Sequence, residues 1–511
     1  MTNPGLHLTL PSRDADRLVE STLAERFVTR TARTRRTRRT FYDTFDWRLY
    51  RRGWTLSDDV RGSVRTVSLA QRGAARASIR TEAENPPSTA RSLPSGTVAR
   101  RVAPILGVRA ALPLAELDAR TKIVEVLDAT DKVTCRVAIE ELAVEGRRLR
   151  RARIESLRGY ESTAVEVCRA LAEIGVDEPA GDAFDDAVAL AGVEPGDYSS
   201  KFSLPLPAAT SAHAASRAIL LALLDTVERN LPGVLDDTDS EFLHDFRVAV
   251  RRTRSLLGQV RPLFGADALE PYRRELAWLG KTTGPTRDLD VHLIDLQRLR
   301  DEAGADTVSL NALERLLVRR RRAARRAMVK DLRSKRLRRL LADWRAFLEG
   351  ASPAPSAATV SARSFASRRI RRLHRRVLAR GAAMDRNSSD AELHELRKAC
   401  KKLRYLIELF AGVYEPEAVT VCVKSLKRFQ DNLGEFQDMS VQSAVLKELA
   451  VELGSARKPR PQTLVTSGRL IERLIERRQR CRAEFRDRFA KFSSKDSRDQ
   501  FRRQFGKESV A

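Results

Sequence analysis

His244-Asp-Phe-Arg247-Val-Ala-Val-Arg251-Arg252-Thr-Arg254 returns 150 residues later as His394-Glu-Leu-Arg397-Lys398-Ala-Cys-Lys401-Lys402-Leu-Arg404. The same offset carries Gly284 and Asp288 onto Gly434 and Asp438. On an α-helix His244, Arg247, Arg251 and Arg254 share one face, and so do His394, Arg397, Lys401 and Arg404. Ten residues at about 1.5 Å each make each stripe about 15 Å long. Arg252, Lys398 and Lys402 stand beside the stripes, and Phe246, Val250, Leu257, Leu396, Cys400 and Ile407 supply the apolar faces. Like charges one turn apart repel by roughly a few tenths of a kcal/mol per pair. A solvated face has no reason to keep matched histidines and arginines, so the repeat points to an anion site built twice. Arginine offers a planar fork for phosphate oxygens, lysine a point charge and histidine a further donor. Asp288 and Asp438 read as helix caps or as partners of the arginine stripe.

Helical spacing of apolar residues extends on both sides of each copy. It predicts helices over 211–231, 241–263, 269–281, 287–303 and 311–348, and again over 361–380, 391–413, 417–433, 438–453 and 463–492. Ala351-Ser-Pro-Ala-Pro-Ser-Ala-Ala358 divides the two sets. About four principal helices per half fit two similar bundles. Before them, Glu194–Pro207 has the composition of a linker, and the first 195 residues read mostly as β. Period-2 alternation appears at 6–10, 64–69, 121–126, 135–139 and 151–156, interrupted by helices at 12–29 and 161–174. The expected fold is α+β and multidomain. It has an N-terminal antiparallel β-barrel over 1–195 and two helical halves, 208–350 and 360–500, related by an internal pseudo-twofold.

The chain has 511 residues and a net charge of +27. Residues 1–200 hold 32 basic and 29 acidic side chains, so +24 of that charge lies in the remainder. Such a field favours a polyanion: polyphosphate, nucleic acid or an anionic surface. Five scattered cysteines form no finger or redox spacing and suggest reduced thiols. Met1-Thr-Asn-Pro-Gly lacks the start of a signal peptide, and the longest apolar run, Ala218–Leu224, is too short to span a bilayer. A cytoplasmic protein without a membrane span is expected. Nucleotide-loop and zinc-protease motifs are absent.

The doubled His-x-x-Arg-x-x-x-[Arg/Lys]-[Arg/Lys]-x-Arg, each followed by Gly-x-x-x-Asp, resembles the CHAD domain, the conserved histidine α-helical domain, over roughly residues 208–500. The resemblance implies two four-helix bundles whose basic cavity or surface binds inorganic polyphosphate, with association to polyphosphate granules. It places binding on His244, Arg247, Arg251, Arg252, Arg254, His394, Arg397, Lys398, Lys401, Lys402 and Arg404. Secondary candidates are Arg217, Arg368, Arg371 and Arg372 on the first helix of each half, and Arg273, Arg274, Lys424, Lys427 and Arg428 on the third. Phe41-Tyr42-Asp43-Thr44-Phe45-Asp46 through Gly53-Trp-Thr-Leu56 is similar to the CYTH domain, a triphosphate-tunnel barrel. That family's first strand carries Glu-x-Glu-x-Lys for a divalent metal. Here it reads Leu6-His-Leu-Thr-Leu10, and the later strand keeps Glu155. Hydrolysis needs several hard oxygen ligands around a metal, so a degenerate barrel is expected. Arg101, Arg120, Lys122, Arg136 and Arg153 are expected on its strands as anion contacts. A relocated metal site would involve Glu125 and Glu140.

The expected activity is polyphosphate binding rather than catalysis, with no cofactor and no catalytic residue. The alternatives are a Mg²⁺- or Mn²⁺-dependent triphosphatase or polyphosphate hydrolase in the barrel, and nucleic-acid binding. Aromatics make up 6% of the chain and are sparse in the basic helices, which is a poor platform for base stacking.

Overall fold

The computed structural model describes residues 6–10, 14–72, 78–144, 146–176, 183–207, 209–303, 310–350, 360–385, 387–455 and 461–506. The chain divides into two compact units, Met1–Ser200 and Lys201–Ala511. The spacer read at 351–358 lies outside the described residues.

The first unit is an antiparallel sheet of Leu6–Thr9 (β1), Val28–Thr31 (β2), Arg35–Thr44 (β3), Trp54–Arg61 (β4), Val64–Gln71 (β5), Ile79–Glu82 (β6), Ala111–Leu127 (β7), Val133–Val144 (β8) and Arg147–Ser156 (β9). The strands run in the order β1-β9-β8-β7-β3-β4-β5-β6, with β2 also on β7. Helices Ala15–Arg26 (α1), Thr97–Leu106 (α2), Glu161–Ala172 (α3) and Ala183–Leu190 (α4) cover it. Alternation decides the faces: Val124, Val126, Val137 and Ile139 bury against Val19, Leu23, Val167 and Leu171 of α1 and α3. Leu117, Ala119 and Leu142 point the other way, onto Phe184, Ala187 and Val188 of α4. Leu8 and Leu10 join the α1–α3 core. β3 and β4 carry too many charges to show as strands by alternation. Arg101 lies on α2, not on a strand as expected.

The motif around Asp43 builds a corner. Its carboxylate accepts from the backbone N–H of Thr44, Leu49 and Tyr50 at 2.6, 2.9 and 2.7 Å. Gly53 closes the turn at φ 71°, where L side chains are strained. Burial raises the Asp43 carboxyl to about 6 against those three hydrogen bonds. The stretch read as a linker is packed. The Tyr198 ring lies 4.4 Å from that of Phe45, tilted by 36°, and the Trp47 indole donates to Asp197 at 2.8 Å.

The second unit is helical. Its first half contains Ala212–Asp236 (α5), Ser240–Phe264 (α6), Ala266–Thr282 (α7), Gly284–Ala303 (α8), Asn311–Leu332 (α9) and Lys335–Gly350 (α10). The second contains Ala362–Ala382 (α11), Asp390–Leu409 (α12), Pro416–Gly454 (α13), Pro461–Phe492 (α14) and Lys495–Phe505 (α15). The helices expected at 417–433 and 438–453 are one, α13, while their counterparts α7 and α8 are separate. Pro285 explains this: it has no N–H to continue α7 and opens α8 instead, whereas Glu435 lets α13 run on. The expected 311–348 helix breaks at Arg333–Ser334 into α9 and α10.

The halves mirror each other at the start. Ala212 N–H donates to Val360 O at 2.7 Å and Ala362 N–H to Thr210 O at 2.9 Å, a reciprocal pair at the 150-residue offset. They also share a core of Leu296, Leu313, Leu316, Leu446, Leu449 and Leu470 from α8, α9, α13 and α14. The arginine run at 319–322 is not merely solvated. Arg320 pairs with Glu448 at 2.8 Å and with Glu452, and Arg321 with Asp237 at 2.6 Å and with Asp290.

A Cβ at Gly233 of α5 would fall 2.3 Å from Phe242 Cδ1, inside the α5–α6 contact. Gly233→Ala should therefore destabilise the helical unit by about 1–3 kcal/mol despite the better helix former, read as a lower urea midpoint at unchanged slope.

Candidate functional site

Both copies of the motif sit on capped amphipathic helices. Asp239 caps α6 through the N–H groups of Glu241 and Phe242 at 2.8 and 3.2 Å. Ser389 and Glu392 form a reciprocal capping box on α12. Phe246, Val250 and Leu257, with Leu396, Cys400 and Ile407, are all buried. That burial fixes the rotation of each helix and turns its cations the other way.

α6 and α12 pack against each other, which brings the two stripes together. Arg251 Nε donates to Tyr405 Oη at 3.0 Å across the contact. The Tyr405 ring is buried, with the guanidinium groups of Arg252 and Arg404 at 5.8 and 5.6 Å. Cations this close to an aromatic face gain some attraction that offsets their repulsion.

Within each stripe the residues separate into two sets. His244 Nδ1 accepts from Arg287 Nη2 at 2.9 Å, and His394 Nδ1 donates to Gln437 Oε1 at 3.0 Å. In both halves the histidine partner stands 43 residues on and immediately before the repeated aspartate. Arg247 Nη1 donates to Gly280 O at 2.9 Å and to Thr283 Oγ1 at 2.8 Å, holding the α7–α8 corner. Burial pulls the Arg247 guanidinium below the usual arginine value, with Asp288 opposing and Arg251, Arg287 and Arg254 adding to it. Arg397 lies 3.4 Å from Asp438. The repeated glycines lie beside these arginines: a Cβ would stand 3.6 Å from Arg247 Nη1 at Gly284 and 3.8 Å from Arg397 Nη2 at Gly434. The aspartates act as charge partners; neither is a helix cap.

The other set faces open space. Arg251, Arg254 and Ser255 of α6, Glu270, Arg273, Arg274 and Ala277 of α7, and Lys398, Lys401, Lys402 and Tyr405 of α12 line one cavity of about 530 Å³. Seven cations from both halves thus surround one carboxylate, Glu270, which pairs with Arg273 at 2.6 Å and Arg261 at 3.2 Å. Burial, then Arg397 and Arg251, lowers the Lys401 ammonium to about 8; Arg404 adds to this and Asp438 opposes it.

Several expected residues lie elsewhere. Arg252 pairs with Glu408 at 2.7 Å, and Arg404 is 3.4 Å from the same carboxylate. His244, Arg247, His394 and Arg397 do not line the cavity. Of the secondary set only Arg273 and Arg274 do. Arg371 donates to Phe505 O at 2.9 Å. Arg368 and Arg372 are exposed on α11, Lys424, Lys427 and Arg428 are exposed on α13, and Arg217 is half-buried on α5. Tyr405, Glu270, Glu408 and Arg287 were not singled out from sequence. Arg287 precedes the repeated aspartate as Gln437 does, a position the register marks, whereas Tyr405 and Glu408 correspond to Ser255 and Gly258.

In the sheet unit, Glu140 binds Arg151 at 2.8 Å and lies 3.9 Å from Arg153, which also contacts Glu155. Arg39 forks onto Asp59 at 2.6 and 2.8 Å. Glu125 pairs with Arg30 at 2.6 Å and Arg136 at 3.2 Å, and Lys122 with Glu20 at 2.5 Å. Arg120 is exposed. Glu140 pairs in register with Thr121, so Glu125 stands four residues along, about 13 Å away. One metal ion cannot reach both.

Residues 218–447 match the model of the CHAD domain. The helical region carries a CHAD domain. The plant CHAD domain of Ricinus communis aligns with 57% of this chain and 95% of its own, at 29% identity and a TM-score of 0.47. The Hippeastrum protein HpAC1, described as having a dominant triphosphatase activity, aligns over 39% of this chain and 100% of its own, at 16% identity and a TM-score of 0.30. An uncharacterised protein of Mycobacterium tuberculosis, MT2285, is 29% identical over 251 residues, 47% of this chain and 46% of that protein. The chain spans about half the length of the curated relatives it matches. No helix among the described residues of this CHAD-containing chain is long and apolar enough to cross a membrane.

Removing a neighbouring cation should relax the lysine. In Arg251→Met the Lys401 titration, followed by NMR of the Nζ-bearing carbon, should move upward from its midpoint near 8.

Proposed function

We propose that the CHAD domain binds inorganic polyphosphate in the cavity between α6, α7 and α12. The observation that carries this reading is the convergence of Arg251, Arg254, Arg273, Arg274, Lys398, Lys401 and Lys402 on one open space. Among the described residues, Arg273 and Lys398 of this set pair with carboxylates, Glu270 and Glu395; a fold gains nothing from gathering the rest, and their mutual repulsion adds to burial in depressing the Lys401 ammonium. A chain of phosphates, with about one charge each, relieves it. His244, Arg247, His394 and Arg397 position the lining residues. Arg252 and Arg404 are held by Glu408. Held in this way, the protein would be drawn to polyphosphate granules.

The cavity offers Tyr405 as its one aromatic residue, and its ring is buried, which leaves little for base stacking. In the sheet unit the carboxylates that a hydrolytic metal would need are engaged by arginines, which is why binding is preferred to hydrolysis. The test is competition. Long-chain polyphosphate should displace single-stranded DNA at equal phosphate concentration, and the reverse outcome would replace this reading with nucleic-acid binding.

Arg251→Ala with Arg254→Ala and Lys401→Ala should weaken polyphosphate binding by about 100-fold or more while leaving the melting temperature unchanged or higher. In the wild type, log affinity should fall with log salt by roughly 0.7–0.9 per neutralised phosphate, and the triple variant should show a shallower slope in the same titration. Bound phosphate favours the Lys401 ammonium, so affinity should decline as pH rises through about 8. Lys401→Arg should flatten that step in a pH series.

A further inference from the structure

Glu408 has no counterpart in the first repeat. The offset that pairs Arg254 with Arg404 and Arg252 with Lys402 pairs Glu408 with Gly258. Glu408 accepts from Arg252 at 2.7 Å and lies 3.4 Å from Arg404. The mates of those two cations, Lys402 and Arg254, line the cavity. The same pair of cations therefore exists twice, once around an internal carboxylate and once facing open space. A Cβ at Gly258 would meet nothing within 4 Å, so a side chain can leave the helix there without a clash.

Part of the rest of the cavity has cationic mates, while Arg273 and Lys398 correspond to Val423 and Val248. Arg274 and Ala277 correspond to Lys424 and Lys427, which are exposed on α13 and, among the described residues, carry no ion pair. The reciprocal Ala212–Val360 and Ala362–Thr210 hydrogen bonds and the two histidine contacts place residues 150 apart in matching positions. Four cations, Arg252, Arg404, Lys424 and Lys427, thus form a reduced counterpart of the cavity's charge, and a carboxylate sits between its two guanidinium groups. A carboxylate presents two acceptor oxygens and one negative charge to a guanidinium, as one face of a phosphate does.

Resting on the polyphosphate reading above, we propose that Glu408 is an internal substitute for a phosphate, closing the pseudo-symmetric twin of the cavity so that the chain binds polyphosphate on one side. The duplication built two sites, and this residue decides that one is used. Glu408→Gln keeps the shape and removes the charge, and Glu408→Gly installs the first repeat's residue. Both should free Arg252 and Arg404 for a second anion. Gly258→Glu is the converse. It places a carboxylate one turn from Arg254 and opposite Lys402, and a better helix former replaces glycine.

The experiment is a calorimetric titration of the full chain with tripolyphosphate. The wild type should take up one per chain, and Glu408→Gln and Glu408→Gly should take up two. Gly258→Glu should weaken the existing site by about tenfold, equivalent to about 1.4 kcal/mol. Folded Glu408 variants with unchanged stoichiometry overturn the proposal. If neither Glu408 variant folds, Gly258→Glu decides, and undiminished affinity there overturns it. A wild-type chain that takes up no tripolyphosphate overturns the underlying polyphosphate reading itself.

Discussion

The helical unit is organised around an unfavourable interaction: α6 and α12 pack together and bring two rows of like charge into contact. Every nearby feature answers that repulsion. Asp438 and Asp288 oppose the first arginine of each row. The carbonyl of Gly280 and the hydroxyl of Thr283 take two of the Arg247 donors. Tyr405 offers an acceptor to Arg251 and ring density to Arg252 and Arg404. What these do not compensate is left around the cavity, where burial and then the neighbouring Arg397 and Arg251 depress the Lys401 ammonium. Apolar burial on the far side of both helices must hold this arrangement together, since the charges push it apart.

The repeated motif is thereby divided between support and exposure. Its histidine and first arginine reach forward to residues just before or within the Gly-x-x-x-Asp segment and tie the motif helix to its neighbour. Of its later cations, Arg251, Arg254 and Lys401, one to two turns on, face the cavity, while Arg404 is held by Glu408. A ten-residue stripe can do both because its ends are about 15 Å apart. The motif histidines are thus best understood through what they orient.

The two halves repeat a plan without repeating every residue. Pro285 breaks the first half's third helix where Glu435 lets the second continue. α7 supplies a cavity wall, and Glu408 occupies the matching space on the other side. In the sheet unit the opposite has happened to charge: arginines of β3 and β9 are matched by Asp59, Glu140 and Glu155. The +24 of the C-terminal residues is the field left without such local matching.

The sequence alone determined the duplication, its register and the inward faces of the motif helices, because periodicity at 3.6 residues is a local property that survives without neighbours. It could not reveal β3 and β4, whose charged alternation hides a strand, nor the fused α13, where one proline in the other copy was the informative difference. Only the tertiary structure decided which cations are committed and which are open. Arg251 and Arg252 are adjacent in the chain, yet one lines the cavity and the other is held by Glu408, 156 residues away. A side chain's partners are set by what packing brings to its helix face, and that depends on the whole chain closing around it.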